Sequence, residues 1–243
     1  MADLYSNTAD GYVFASNQTS WANARDHAGA YKYTTSTRST AAVAVSRATG
    51  RGGAVVYGVY RSFFYFDTSG ITGTVSSATL KLYGYVATDG SVIAVKSTAF
   101  GGDGGTALDA ADFNNITGYS AGASLSGSAT DYSSEITSGW STSGYNDLAS
   151  TADLRADMQN DDVVIICVMD YTNDYTNTAL TSSASLNCGI YFTDYTGTSR
   201  DPYITYEVAA ASGYGNDVIG VATANIGKVD GVATANIEKV IGV

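Results

Sequence analysis

The chain has 243 residues, a length that fits one large β-domain or two small ones. Its formal net charge is −11 and it has no basic cluster, which makes nucleic acids and anionic membrane surfaces poor partners. Only 14% of the residues are charged, against about 25% in typical domains. Together with abundant Tyr, Thr and Val, this composition favours strands over helices.

The first sixty residues predict short strands around one long polar loop. A first strand is expected at 12–14, and the loop at 16–38 contains one helical turn between Trp21 and Asp26. Two further strands are predicted at 41–45 and 54–60, because the turn-rich sequence ATGRGG separates them.

Residues 60–86 predict two strands by their strict alternation, which is typical of strands with one face on a core. We expect the two strands to lie in, or cross between, the sheets of a β-sandwich. The residues expected in its core are Phe64, Phe66, Leu80 and Leu82. The residues expected on the opposite strand faces include Arg61, Phe63, Tyr65, Asp67, Lys81, Tyr83 and Tyr85.

The remainder of the domain predicts five more strand segments and two helical ones. The strands are expected at 91–98, at 132–136 with Trp140 following, at 189–193 and at 203–208. Asp109 is expected to cap a helical turn at 109–116, and Thr151 is expected to cap a helix within 146–158. The run DVVIICVMD at 162–170 is apolar on both faces, which predicts a central strand covered on both sides.

The C-terminal segment contains an internal repeat. After a linker at 209–219, GVATANIGKVD is followed by GVATANIEKVI, and Gly242 begins a third copy, so the period is eleven residues. Short helical turns and short strands are both compatible with it. Because one copy cannot bury its own apolar groups, the repeat must pack on other copies, on its own domain or on a partner chain. We predict that it packs between chains or onto another virion protein. The predicted assembly residues are Val221, Ile226, Val229, Val232, Ile237 and Val240.

The strand sequences resemble a group of β-sandwiches. YRSFFYFDTSGI, VSSATLKLYGYV and the late DPYITY are similar to the group that includes DNRLRE-type and other carbohydrate-binding modules. GWSTSGYNDL and DVVIICVMDYTNDYTNTA resemble domains of phage tail-fibre and other virion proteins, and the repeat resembles segments near the ends of phage structural proteins. The resemblance covers residues 12–208 and implies a fold, but no catalytic or metal residue.

The titratable residues do not form a recognisable catalytic pattern. His27 lacks an accompanying nucleophile motif, so we interpret it as a surface histidine. Asp161, Asp162, Asp170 and Asp174 match no calcium loop, and turn or strand-end roles are favoured over Ca²⁺ binding. Cys167 and Cys188 match no metal spacing, and buried free thiols are favoured over a disulfide. The sequence therefore predicts no enzyme activity, no metal and no cofactor.

Aromatic side chains in or beside loops are the stronger candidates for a binding site. Flat rings with polar tips suit both sugar stacking and wet protein interfaces, although packing within the domain or between subunits remains the simpler alternative. The predicted ligand-binding residues are Trp140, Tyr145, Tyr171, Tyr175 and Tyr195, and Tyr191 belongs to the same aromatic set.

Together these patterns predict an all-β, jelly-roll-like β-sandwich at 1–208, followed by the linker and the repeat at 220–243. The predicted function is a virion structural protein, such as a fibre, tail appendage or capsid decoration. The expected partners are other copies of the chain, other virion proteins and host-surface glycans, without nucleic acid or membrane insertion. The start MADLYSNTADGYV lacks the apolar core of a signal peptide, so synthesis in the host cytoplasm is expected. The alternative is a non-catalytic carbohydrate-binding module of a surface or secreted protein.

Overall fold

The computed structural model describes residues 1–28, 31–33, 37–50 and 52–209, together with the backbone of 228–229 and 232–233. The predicted all-β class is confirmed, since the strands form a curled antiparallel sheet shaped like a half-barrel. The strands are β1 Ala2–Tyr5, β2 Gly11–Gln18, β3 Tyr31–Tyr33, β4 Arg38–Thr49, β5 Val55–Asp67, β6 Val75–Thr88, β7 Ile93–Lys96, β8 Tyr145–Ala149, β9 Val163–Met169, β10 Ala184–Tyr191, β11 Tyr203–Val208, β12 Lys228–Val229 and β13 Val232–Ala233.

Short helices join some of these strands. The α-helices are α1 Trp21–Arg25 and α2 Ala152–Asn160, and a π-helical turn spans Tyr171–Tyr175. Two 3₁₀ turns occupy Phe100–Gly102 and Ala110–Asn114. Within the described ranges, no helix has the length and apolar character that a membrane span requires.

Strand β6 links the two halves of the sandwich. One part of it pairs with β8 and β11, and β11 pairs with β1. The other part pairs with β10, from which the sheet continues through β4, β5, β2 and β3. Strand β9 adds to the end of β5, and β7 adds to β9. The expectation that the 60–86 strands lie in or cross between the sheets agrees with this pairing.

The main core lies between the two halves, and the predicted alternation places its residues correctly. Phe64 and Phe66 of β5 and Leu80 and Leu82 of β6 are all fully buried there. Leu148 from β8, Ile166 from β9 and Ile204 from β11 complete the same cluster. Each of these strands therefore directs alternate apolar side chains inward, as its period of two requires.

The prediction that only one face of β5 packs on a core is wrong. Its other face carries Phe63 and Arg61, which are also fully buried, in a second layer formed by residues 97–130 and α1. Phe63 packs in a second cluster with Cys167, Phe100 and Phe113. Strand β9 lies between the two clusters, as its continuous apolar run predicts.

A buried ion pair fixes the second layer to the sheet. The Arg61 guanidinium donates from Nε to Asp174 Oδ2 and from Nη2 to Asp174 Oδ1, both at 2.7 Å. It also donates to the carbonyl oxygens of Phe113 (2.7 Å) and Arg25 (3.1 Å), and it lies 4.2 Å from the centre of the Phe113 ring. Arg61 thus joins β5 to α1, to a 3₁₀ turn and to the π-helical turn.

Two local predictions need correction. Residues 146–149 belong to strand β8 because Leu148 is buried opposite Leu80 of β6, and the helix begins only after its predicted cap, Thr151. Residues 132–136 form isolated bridges instead of a continuous strand. The ladder is interrupted because the side chain of Ser133 accepts the hydrogen bond of the Ala94 amide.

Part of the repeat is described at backbone level. Strands β12 and β13 pair antiparallel, with Val229 opposite Val232 and Lys228 opposite Ala233. The remaining predicted assembly residues, Val221, Ile226, Ile237 and Val240, lie outside the described residues, as do 210–219 of the predicted linker.

Candidate functional site

The outward side of the sheet formed by β1, β11, β6 and β8 carries a row of tyrosines. Because Leu80 and Leu82 point into the core, the alternating Tyr83 and Tyr85 point outward. The pairing of Tyr83 with Tyr145, and of Tyr203 with Tyr5, places further tyrosines on the same side. We call this surface the tyrosine face. Its members are Tyr5, Tyr83, Tyr85, Tyr145, Tyr191, Tyr195 and Tyr203.

The rings of the tyrosine face form one unbroken series of contacts. In one half, the ring centre of Tyr145 lies 5.0 Å from that of Tyr203 and 5.1 Å from that of Tyr83. The planes of the two rings in each pair are nearly perpendicular. In the other half, the ring centre of Tyr191 lies 4.7 Å from that of Tyr195 and 5.4 Å from that of Tyr85. Edge-to-face pairs of this kind contribute about 0.5–1.5 kcal/mol each beyond their buried area, so the rings are held in fixed orientations.

Hydrogen bonds anchor the phenol groups to neighbouring loops. The Tyr83 hydroxyl donates to the carbonyl of Ser143 at 2.8 Å, and the Tyr145 hydroxyl donates to the carbonyl of Asp201 at 3.2 Å. Burial raises the pKa of Tyr145 and Tyr203 above the usual range. These phenols consequently stay protonated and neutral at physiological pH.

Two arginines lie over the rings. The Arg200 guanidinium is 4.7 Å from the ring centre of Tyr191, 5.1 Å from that of Tyr195 and 5.2 Å from that of Tyr83. The Arg38 guanidinium is 4.4 Å from the Tyr85 centre and donates to the Tyr191 hydroxyl at 3.4 Å. The same hydrogen bond raises the pKa of Arg38. The surface therefore combines flat apolar rings with fixed positive charge.

The structure brings together only part of the sequence-predicted aromatic set. Tyr145 and Tyr195 belong to the tyrosine face. Trp140 is buried in the main core, where its Nε1 donates to Gly189, and Tyr175 is buried with its hydroxyl on Asp131. Tyr171 stacks on Tyr175 and touches no ring of the tyrosine face. Trp140 and Tyr175 are thus buried packing residues, a burial that the loop-like sequence around them does not indicate, and their role in ligand binding stays a prediction.

Other members of the tyrosine face were missed as site residues. The alternation in 79–85 already placed Tyr83 and Tyr85 opposite the core leucines, so a signal for them was present. Tyr5 and Tyr203 are brought together only by the pairing of β1 with β11. No local pattern marks Arg38 or Arg200, which reach the rings from strand β4 and from the loop before β11.

The Asp residues and the histidine considered as candidates for Ca²⁺ binding or catalysis take part in ion pairs and caps or are partly buried. Asp174 pairs with Arg61, Asp170 caps the π-helical turn and Asp161 lies 3.7 Å from Lys96 Nζ. His27 is half-buried, more enclosed than the surface position expected for it. Across the described ranges, no three His, Cys, Asp or Glu side chains are grouped to hold a metal ion.

Both cysteines are free and buried, as predicted. Burial raises the pKa of the Cys188 thiol to about 12 and that of Cys167 further. Both sulfur atoms are therefore protonated and unreactive at neutral pH.

Comparison with known proteins adds no identification. No protein-family model matches the chain, and no curated protein matches it. The assignment of a function therefore depends on the tyrosine face and on the sequence features described above.

Proposed function

We propose that this chain is a virion structural protein that recognises a host-surface glycan through the tyrosine face. The observation that carries the proposal is the unbroken row of tyrosine rings on the outward side of one sheet. The proposed role is binding and display, without catalysis.

Tyrosine rings suit a sugar ligand for two physical reasons. A ring face packs against the C–H groups of a sugar, while the phenol edge can hydrogen-bond to sugar hydroxyls. The hydroxyls of Tyr5, Tyr85 and Tyr203 have no hydrogen-bond partner among the described residues, so they are available to a ligand. Because neighbouring rings and loops already fix the side chains, binding loses little side-chain entropy.

Placement in a virus particle is supported by features outside the tyrosine face. The low charge density permits close self-association, and the repeat supplies apolar groups that need a partner surface. The pairing of β12 with β13 favours the strand-like alternative for the repeat. The sequence resemblance to phage tail-fibre and virion proteins adds to this support.

The alternative is a non-catalytic carbohydrate-binding module of a surface or secreted protein. It would use the same tyrosine face, so glycan binding does not separate the two. Mass spectrometry of purified virus particles does: a virion protein must be present in them at a stoichiometry typical of structural components.

The binding function is tested on an array of glycans with the purified full chain. We expect Tyr203→Ala and Tyr83→Ala to reduce binding at least tenfold, whereas Tyr171→Ala, outside the tyrosine face, leaves it unchanged. Thermal melting verifies that each variant is folded. Absence of binding to any glycan, or equal loss in Tyr171→Ala, would contradict the proposal.

The assembly role of the repeat is tested by truncation. A chain ending at residue 212 keeps every strand from β1 to β11, so the sandwich should fold while self-association decreases. Light scattering on the full and truncated chains measures the difference. Equal assembly by both chains would assign the contacts to the sandwich surface instead.

A further inference from the structure

We infer that the glycan bound by the tyrosine face carries an acidic group, a carboxylate or a sulfate, and that Arg200 selects it. The inference rests on the proposed binding function and adds the chemical class of the ligand. It is drawn from the surroundings of Arg200, which differ from those of the arginines that build the fold.

Arg200 is held by rings instead of by a carboxylate. Its guanidinium lies 4.7–5.2 Å from the centres of three tyrosine rings. Its hydrogen bond to a described residue runs from Nη1 to the Tyr195 hydroxyl, at 3.3 Å. In the ranges that the structure describes, no Asp or Glu oxygen forms an ion pair with it.

The contrast with structural cations is clear within the same chain. Arg25 and Arg61 are fully buried and both contact Asp174. Lys81 and Lys96 pair with Asp147 and Asp157. In a chain with a formal net charge of −11, a fixed guanidinium that pairs with no acidic side chain of the described ranges, on a candidate binding surface, points to an anionic ligand.

Guanidinium chemistry supplies the selectivity. A guanidinium has five N–H donors in a plane and binds carboxylate or sulfate oxygens in pairs. Stacking on the tyrosine rings fixes its plane without neutralising its charge, which leaves its N–H edge for the ligand. Arg38, over the adjacent Tyr85, contributes a second positive charge to the same surface. A neutral sugar would cover the Arg200 charge without supplying a counter-ion, so it should bind more weakly.

The experiment compares acidic glycans with neutral partners of the same skeleton. Isothermal titration with the full chain uses sialyllactose against lactose, and oligogalacturonate against its carboxyl-reduced form. A sulfated galactan oligosaccharide against its desulfated form distinguishes sulfate from carboxylate. We expect the acidic member of at least one pair to bind about 10- to 100-fold more tightly, the range for hydrogen bonds to charged groups.

Three variants locate the selectivity. Arg200→Gln should remove most of the preference, and Arg200→Lys should retain an intermediate preference because it keeps the charge but loses the planar fork. Arg47→Gln is the matched control, because Arg47 lies over Tyr57 and contacts its hydroxyl outside the tyrosine face.

The possible failures are separable. Equal affinity of the wild-type chain for acidic and neutral partners would overturn the inference and leave the proposed glycan binding intact. An equal loss of preference in Arg47→Gln would overturn the role of Arg200. Failure of every glycan to bind would overturn the proposed function itself.

Discussion

Asp10 lies fully buried in the connection between β1 and β2, and its ionisation should contribute to the pH dependence of stability. Thr193 donates to it twice, from Oγ1 to Oδ1 at 2.8 Å and from the backbone amide to Oδ2 at 3.3 Å. Burial outweighs these hydrogen bonds, and the carboxylates of Asp194 and Asp201 add repulsion. The pKa of Asp10 is consequently raised to about 7.

The sign follows from proton binding in the two states. Unfolded Asp10 releases its proton near pH 4, while folded Asp10 keeps it up to about pH 7. The resulting stabilisation is fully present below pH 4 and is lost as the pH rises through 7. At 1.36 kcal/mol per pH unit, the free energy of unfolding loses about 4 kcal/mol from this group over that interval.

The substitution Asp10→Asn removes the titrating group at nearly constant volume. Urea unfolding of both proteins at several pH values measures their free energies of unfolding. Between pH 4 and 8, the free energy of unfolding of the wild type should fall relative to that of Asp10→Asn. Asp67→Asn is the control, because hydrogen bonds from Ser69 lower the pKa of Asp67, so its contribution has the opposite sign and changes only below about pH 4, and its difference should stay nearly constant between pH 4 and 8. A difference for Asp10→Asn that is constant with pH would refute the reasoning.

Three further substitutions test the packing by urea unfolding. Asp174→Ala should destabilise the protein by about 3–5 kcal/mol because it leaves the buried charge of Arg61 unpaired, whereas replacing both residues by apolar ones should cost less than the sum of the single changes. Phe64→Ala should cost about 3–5 kcal/mol through the cavity left in the main core, and a loss below 1 kcal/mol would contradict its packing. Gly84→Ala should cost about 1–3 kcal/mol, because an added Cβ would clash with the carbonyl oxygen of Ser141. For Gly84→Ala, tyrosine near-ultraviolet circular dichroism should also change, since Gly84 lies between Tyr83 and Tyr85.

The alternation of side chains in the sequence was sufficient to predict much of the core. A strand has a period of two whatever its partners are, so Phe64, Phe66, Leu80 and Leu82 could be assigned without knowing the order of strands. The caps at Asp109 and Thr151 were predictable for a similar reason, because a cap satisfies amides within a few residues of itself.

The buried Arg61 could not be predicted in this way. A charged residue in an alternating strand is normally on the solvent face, since burial without partners is strongly unfavourable. Its partners come from Asp174, the Phe113 carbonyl and the Arg25 carbonyl, all distant in sequence. Only the packing of residues 97–130, α1 and the π-helical turn against β5 brings these groups together.

The tyrosine face lies between these two cases. Alternation determined that Tyr83 and Tyr85 point away from the core, but it could not determine which side chains stand beside them. Those neighbours depend on β11 lying between β1 and β6. This order places Tyr5 next to Tyr203, although the two residues are far apart in the sequence. A binding surface assembled across several strands therefore depends on sheet order. Position in or beside a loop points to Trp140, which is buried, and does not point to Arg200, because sheet order is not visible in the local sequence. Arg200 nevertheless lies over three of the tyrosine rings.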